Sequence, residues 1–228
     1  MKKTSRQLQK EQTREFLLKT AYEYFSEHGI LNTRMSDIAQ AAGVSHGTVF
    51  LHFATQEALV TEVVETYCGK IALRTHELAK SCTSIQEVLS AHLEGIQEYE
   101  PFYTRLVIEN RLLPPAARDA WINIQSAVSF HFGRVLERTR GEKQVAALPV
   151  SALFNLWIGL IHHYLANGDL FAPDGKVLER HGDTLIEYYM KLIHYETEEE
   201  KHGREAHESQ KGEMLLRAPW REAGRSAF

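Results

Sequence analysis

The stretch Thr33-Arg-Met-Ser-Asp-Ile-Ala-Gln-Ala-Ala-Gly-Val-Ser-His-Gly-Thr-Val-Phe-Leu-His-Phe53 packs two short helical patterns around one glycine. Met35, Ile38, Ala39 and Ala42 recur at the i, i+3, i+4, i+7 spacing of one buried helix face, whereas Ser36, Asp37 and Gln40 are polar. Gly43 follows the last periodic residue, where a left-handed C-cap costs glycine little, and Val44 is placed to fold back as the apolar contact that closes such a cap. Ser45 then offers an N-cap oxygen to a second helix, whose Val49 and Phe53 point inward with Val44. The outward face carries His46, Gly47, Thr48, Phe50, Leu51 and His52. A two-turn helix with so slim a leading end suits the major groove of DNA, and the pair reads as a helix-turn-helix.

The spelling of this segment resembles the tetracycline-repressor (TetR) family of bacterial one-component transcription regulators. The match comprises Asp37-Ile38-Ala39, Ala41-Ala42-Gly43-Val44-Ser45, Gly47-Thr48, Phe50 with His52-Phe53, and Glu57-Ala58-Leu59 at the opening of the next helix. About fifty residues carry it, and so specific an internal spelling is worth far more than a bare two-helix pattern. Three departures stand out. Position 46, often basic in relatives, is His46; position 50, usually tyrosine, is Phe50; position 56, often lysine, is Gln56. Each removes a phosphate contact that the resemblance implies, so the salt dependence of DNA binding is expected to be shallow. A histidine at position 46 also brings a pH response, since protonation would add a phosphate partner.

Upstream, Phe16, Leu17, Ala21, Tyr24 and Phe25 outline a first helix over about residues 10 to 28, stopped by His28-Gly29. Downstream, Leu59, Val63, Tyr67 and Ile71 continue at i, i+4 steps through a fourth helix over about 56 to 80, which the resemblance makes the lever between head and body. The net charge of −4 divides unevenly: residues 1–55 hold seven basic and five acidic side chains, and the remainder 19 and 25. All four charges in the first ten residues are positive, so Lys2, Lys3 and Arg6 are candidate phosphate or minor-groove contacts on a basic arm. The DNA-binding candidates are therefore these three with Met35, Ser36, Ser45, His46, Gly47, Thr48, Phe50, Leu51, His52 and Gln56.

Beyond residue 80 the punctuation is helical. Ser84 with Glu87 spells a capping box, Pro101 interrupts before a short helix, and Pro114-Pro115 opens a long helix over about 115 to 140 ended by Gly141. Pro149 opens another that runs to Asn167-Gly168, and a last covers about 176 to 195. The expected fold is all-α with about nine helices: a helix-turn-helix domain over 1–55, a helical effector-binding and dimerisation domain over 56–195, and a disordered polar tail over 196–228. The last two long helices carry more apolar surface than one small body needs, and the resemblance assigns them to a four-helix bundle across a dimer. Two heads so joined imply a palindromic operator.

The resemblance puts an effector pocket inside the body, with Tyr99, Phe102, Tyr103, Trp121, Gln125, Phe130, His131, Trp157 and His162 as candidates for a planar or lipophilic molecule. Twelve histidines raise metal sensing, but the adjacent His162 and His163 point about 100° apart and cannot chelate as an i, i+4 pair does. No metal site and no cofactor are expected. The chain lacks a phosphate-binding glycine loop, a nucleophile elbow and a HExxH motif, which argues against an enzyme. Two cysteines without CxxC spacing, no signal peptide and no membrane-length apolar run point to a cytoplasmic protein. The expected function is a ligand-responsive repressor. The alternative is a small-molecule or metal-sensing helical module with weakened DNA binding.

Overall fold

The computed structural model describes residues 4–140 and 148–194. Every described element is helical, and no strand occurs among these residues: α1 Ser5–His28, α2 Met35–Ala41, α3 His46–His52, α4 Gln56–Ala79, α5 Ile85–Gln97, α6 Glu100–Glu109, α7 Pro115–Arg140, α8 Val150–Ala166, α9 Gly168–Phe171 and α10 Val177–Ile193. A 3-10 turn, Asn110–Leu112, joins α6 to α7. Lys2, Lys3 and the tail from residue 195 onward lie outside the described residues.

Most boundaries have local causes already visible in the sequence. Thr55 and Ser84 cap α4 and α5 through their hydroxyls, and Glu87 completes the Ser84 capping box. α1 begins five residues earlier than its apolar face suggests, because Thr4 and Gln7 form a capping box ahead of it. Arg6 and Lys10 therefore ride on the first turns of a helix rather than on a loose arm. Pro101 opens α6 instead of breaking the chain, since proline lacks only a hydrogen that the first turn leaves unpaired anyway. The single turn α9 has too few residues to show an apolar period, and the sequence reading passed over it.

One continuous apolar core runs from Leu17 in α1 to Ile193 in α10. α4 crosses from head to body. Near its start Glu62 pairs with Arg14 of α1, in its middle Tyr67 stacks on Tyr22 of α1 at 3.7 Å, and near its end His76 meets His131 of α7. α4 and α7 lie side by side in the same direction, because Cys68 neighbours Ala120 whereas Ala79 and Lys80 accept from Arg134. The α8 and α10 pair is closed from inside by Tyr189, whose hydroxyl donates to the Leu153 carbonyl at 2.7 Å. Among the described residues no helix is long and apolar enough to cross a membrane.

α4 crosses closely over α5 at Gly95. A Cβ at Gly95 would stand 2.0 Å from Thr75 Oγ1 and 3.1 Å from the Thr75 Cα. Gly95→Ala is expected to destabilise the protein by about 1–3 kcal/mol through overpacking. Gly69→Ala on α4, where a Cβ meets nothing within 4 Å, is expected to be neutral or stabilising by about 0.5–1 kcal/mol. Denaturant unfolding of both variants checks the pair, and equal losses would contradict the crossing.

Candidate DNA interface and its link to the body

Seven residues of α2 and seven of α3 are joined by a turn closed by backbone hydrogen bonds. Gly43 adopts φ +64°, its N–H donates to the Gln40 carbonyl at 3.1 Å, and the Val44 N–H reaches the Ala39 carbonyl at 3.0 Å. This pair of bonds is the Schellman closure, with Val44 packed on the core as its apolar contact. Asp37 accepts from the Arg34 N–H at 2.8 Å to start α2, and Ser45 accepts from the Thr48 N–H at 3.1 Å to start α3. The Ser45 and Thr48 hydroxyls bond each other at 2.8 Å.

Within α3 only Val49 is buried, and Phe53 just beyond it anchors the C-terminal end. Ser36, Ser45, His46, Gly47, Phe50 and Leu51 are exposed, and Thr48 and His52 are half-buried. His46 and Phe50, one turn apart, stack with ring centres 4.8 Å apart and planes 2° from parallel. Leu51 is 71% exposed, unusual for leucine in so small a head. The leading face of α3 thus presents two stacked rings, a leucine and a hydroxyl, a surface suited to base edges and thymine methyl groups more than to phosphates.

One expected contact falls elsewhere, and another residue has a partner within the head. Met35 is buried among the head residues, because the first position of α2 lies on the same face as Ile38 and Ala39. The Gln56 amide donates to the Thr33 carbonyl at 2.8 Å, so it ties the start of α4 to the segment ahead of α2. His52 has its Nδ1 buried without a hydrogen-bond partner, and burial with the nearby Lys10 and Arg14 lowers its pKa.

Arg14 is the brace that sequence reading missed. Its guanidinium pairs with Glu62 of α4, donates to the His52 carbonyl at the end of α3, and lies 4.4 Å over the Phe53 ring. One side chain of α1 thereby fixes α3 against α4. Arg34, exposed just ahead of α2, was also passed over, although a basic residue beside a helix-turn-helix is a signal in itself.

A second, opposite pair of charges joins the head to α6. Arg105 donates to the Glu27 carbonyl at 2.7 Å and to the Ser26 carbonyl at 3.3 Å, both in the last turn of α1. Glu109, one turn on, accepts from the Ile30 N–H at 3.0 Å and the Leu31 N–H at 2.7 Å. The cation meets the carbonyl end of α1 and the anion meets free amides, so each charge sits where the backbone dipoles favour it. Gly29 makes this possible: it turns at φ +92°, and a Cβ there would stand 3.0 Å from the Glu109 carboxylate.

The effector candidates divide. Phe102, Tyr103, Trp121, Trp157 and His131 are buried, His162 and Gln125 are half-buried, and Tyr103 Oη lies 3.2 Å from His162 Nε2, against which Trp121 stacks. Phe130 is 67% exposed on the outer face of α7, so it lines no interior pocket. Tyr99 lies at the head-body junction beside Tyr22 and Tyr67. Among the described residues no group of three or more His, Cys, Asp or Glu is placed to hold a metal. His162 turns inward to Tyr103, and His163 is exposed against Phe171. Burial pushes the Cys68 thiol up to about 12, a packed rather than reactive sulfur.

Residues 17–63, the head and the start of α4, match the family model of bacterial regulatory proteins of the tetR family. The chain is 25% identical over 103 residues to the uncharacterized HTH-type transcriptional regulator YerO of Bacillus subtilis, covering 42% of this chain and 36% of that one. It is 30% identical over 90 residues to the probable acrEF/envCD operon repressor of Escherichia coli K12, covering 40% and 34%. The chain thus spans about a third of the length of these two relatives. The HTH-type transcriptional repressor KstR2 of Mycolicibacterium smegmatis is matched at 26% over 162 residues, 71% and 68% of the two chains. In fold, the structure is similar to the TetR family regulator PfmR of Thermus thermophilus, with TM-score 0.62, 20% identity and coverage of 79% and 99%. It is also similar to a regulator of Saccharomonospora viridis solved in complex with choline, with TM-score 0.64, 16% identity and coverage of 80% and 95%. The matched head and the shared all-helical fold agree: residues 17–63 match the tetR family of bacterial regulatory proteins, and the described residues have the fold of regulators of that family.

Proposed function

We propose that the protein is a cytoplasmic, ligand-responsive transcriptional repressor that binds a palindromic operator as a homodimer, with residues 1–55 as the DNA-binding domain and 56–195 as the effector-binding and dimerisation domain. The observation that carries this reading is α3 itself: a braced helix on which His46, Gly47, Phe50 and Leu51 stay exposed among the described residues. Ser36, Ser45, His46, Gly47, Thr48, Phe50, Leu51 and His52 form the reading surface, and Arg6, Lys10 and Arg34 supply phosphate charge. A mobility-shift assay on DNA flanking the protein's own gene tests it. Retention of that DNA at nanomolar to micromolar protein is expected, and no retention over competitor DNA would leave the weakened helical module in its place.

The missing phosphate anchors give a quantitative signature. Each neutralised phosphate adds about 0.9 to the slope of log affinity against log salt. Position 46 occurs twice in a homodimer, so His46→Lys is expected to steepen that slope by about 1.8 and to strengthen operator binding. An unchanged slope would remove position 46 from the phosphate backbone.

Dimerisation is supported by Leu156 on α8 and by Tyr188 and Leu192 on α10, which stand out to solvent on the last long helices. Leu192→Glu is expected to yield monomers at micromolar concentration in analytical ultracentrifugation and to abolish operator retention. A monomeric native protein would contradict the reading.

Effector binding would shift the balance between two head positions by the difference in ligand affinity for them. α4 carries that shift as a lever, and the Arg105–Glu109 pair of α6 carries it to the far side of the head. Glu109→Ala removes the acceptor of the part-buried Ile30 amide and of the exposed Leu31 amide and is expected to cost about 1–2 kcal/mol. Faster hydrogen exchange at Ile30 and Leu31 with weakened operator binding is the expected result. Unchanged exchange at both amides would disprove the link.

A further inference from the structure

α3 is short of the groups that most often read bases. Its residues, His46–His52, include no arginine, lysine, asparagine or glutamine, the side chains that make paired hydrogen bonds to guanine or adenine. The Thr48 hydroxyl is already bonded to that of Ser45 at 2.8 Å, and His52 is half-buried. Of the four exposed residues of α3, His46, Gly47, Phe50 and Leu51, only His46 has a side chain that can hydrogen-bond. What the helix offers instead is apolar surface on Phe50 and Leu51. In the major groove one base feature answers an apolar side chain, the 5-methyl group of thymine.

Gly47 shows where that group fits. Gly43 is demanded by a left-handed turn and Gly95 by the Thr75 side chain against it, but Gly47 has neither reason. Its backbone is helical, and a Cβ there would meet only Ser45 Oγ, at an ordinary 3.8 Å. A glycine in a helix costs stability against alanine. One that neither turns the chain nor makes room for a neighbour within it leaves room for something outside it.

The residues three and four positions on are its neighbours on the helix surface, and these are Phe50 and Leu51. Phe50 is held to one side by its stack on His46, with ring centres 4.8 Å apart. Helical side chains lean over the turn that precedes them, which sets Leu51 beside Gly47. No atom of either side chain comes within 4 Å of a Cβ at position 47, so the space above the glycine is open. The outcome is a notch with Gly47 as its floor and two apolar side chains as its walls.

We propose that this notch receives the 5-methyl group of a thymine in each half-site of the operator. Leu51 and Phe50 pack on the methyl, and Gly47 lets the base edge approach the backbone of α3. This rests on the reading of the protein as a dimeric, operator-binding repressor and names the base feature that it reads.

The probe is the consensus duplex that the full-length protein enriches from a random library. Each pair of thymines related by its two-fold axis is replaced by uracil, which keeps the base pairing and removes only the methyl. Fluorescence anisotropy at fixed salt is expected to find one pair at which the replacement weakens binding about tenfold, the worth of two buried methyl groups. In Leu51→Ala, an exposed site that leaves the fold alone, the thymine and uracil duplexes should bind within about twofold of each other. Gly47→Ala should bind the thymine duplex at least about tenfold more weakly, while its Tm equals or exceeds that of the native protein.

A consensus whose thymines all tolerate uracil would overturn the proposal. So would a uracil effect of undiminished size in Leu51→Ala, since a change in DNA shape rather than a contact would then be its source. Full operator affinity in Gly47→Ala, or a lowered Tm that reveals an internal need for the glycine, also counts against it. If no sequence is enriched, the repressor reading falls as well, whereas an enriched consensus indifferent to uracil refutes the methyl notch alone.

Discussion

A helix of seven residues has no stability of its own, because the first turn costs more in fixed dihedrals than its few hydrogen bonds return. Everything about α3 therefore depends on what holds it from outside. Val49 and Phe53 supply the burial, the Schellman turn at Gly43 sets the angle of entry, and Arg14 fastens the exit to α1 and α4 together. Arg14 meets a carboxylate, a carbonyl and a ring, three kinds of partner that a guanidinium serves at once and an ammonium does not. The aim of the reading surface is thus decided by residues that never face it.

The same logic extends the head into the body. A rigid head on a loose joint could not be moved by a distant ligand, since displacement would dissipate in the joint. Here the joint is packed: Tyr22 and Tyr67 stack face to face, with Tyr99 and Phe102 at their edges, and the apolar core passes through them without a break. Arg105 and Glu109 add direction to this packing. They grip the two sides of the α1–α2 turn with opposite charges, which ties the turn to α6. α4 and α6 hold the head from different faces, and two attachments fix its orientation where one would leave a pivot.

What could be read beforehand followed from local rules. The turn at Gly43, the cap at Ser45, the capping box at Ser84 and the proline that opens α7 are each written within five residues of where they act. Met35 misled because a residue at the start of α2 belongs both to the apolar stripe and to the end that approaches DNA, and burial decided. Phe130 misled because aromatic character says nothing of which way a side chain turns on a packed helix. Arg14, Arg105 and Glu109 were illegible for a deeper reason. Their partners lie 48, 79 and 79 positions away in sequence, and an exposed-looking charge carries no local mark of a distant carboxylate or amide. Thr4 was the exception: its capping box with Gln7 is local and was simply overshadowed by the apolar pattern that starts later.

His92 is buried on α5 with its Nε2 unpaired, although the chain had the means to avoid this. An unpaired buried donor costs about 1–3 kcal/mol, and a phenylalanine at position 92 would avoid that cost with little change of shape. The Trp157 indole sharpens the point. By bonding Nδ1 it removes the tautomer in which His92 could present an acceptor to its neighbours, and it holds the ring still.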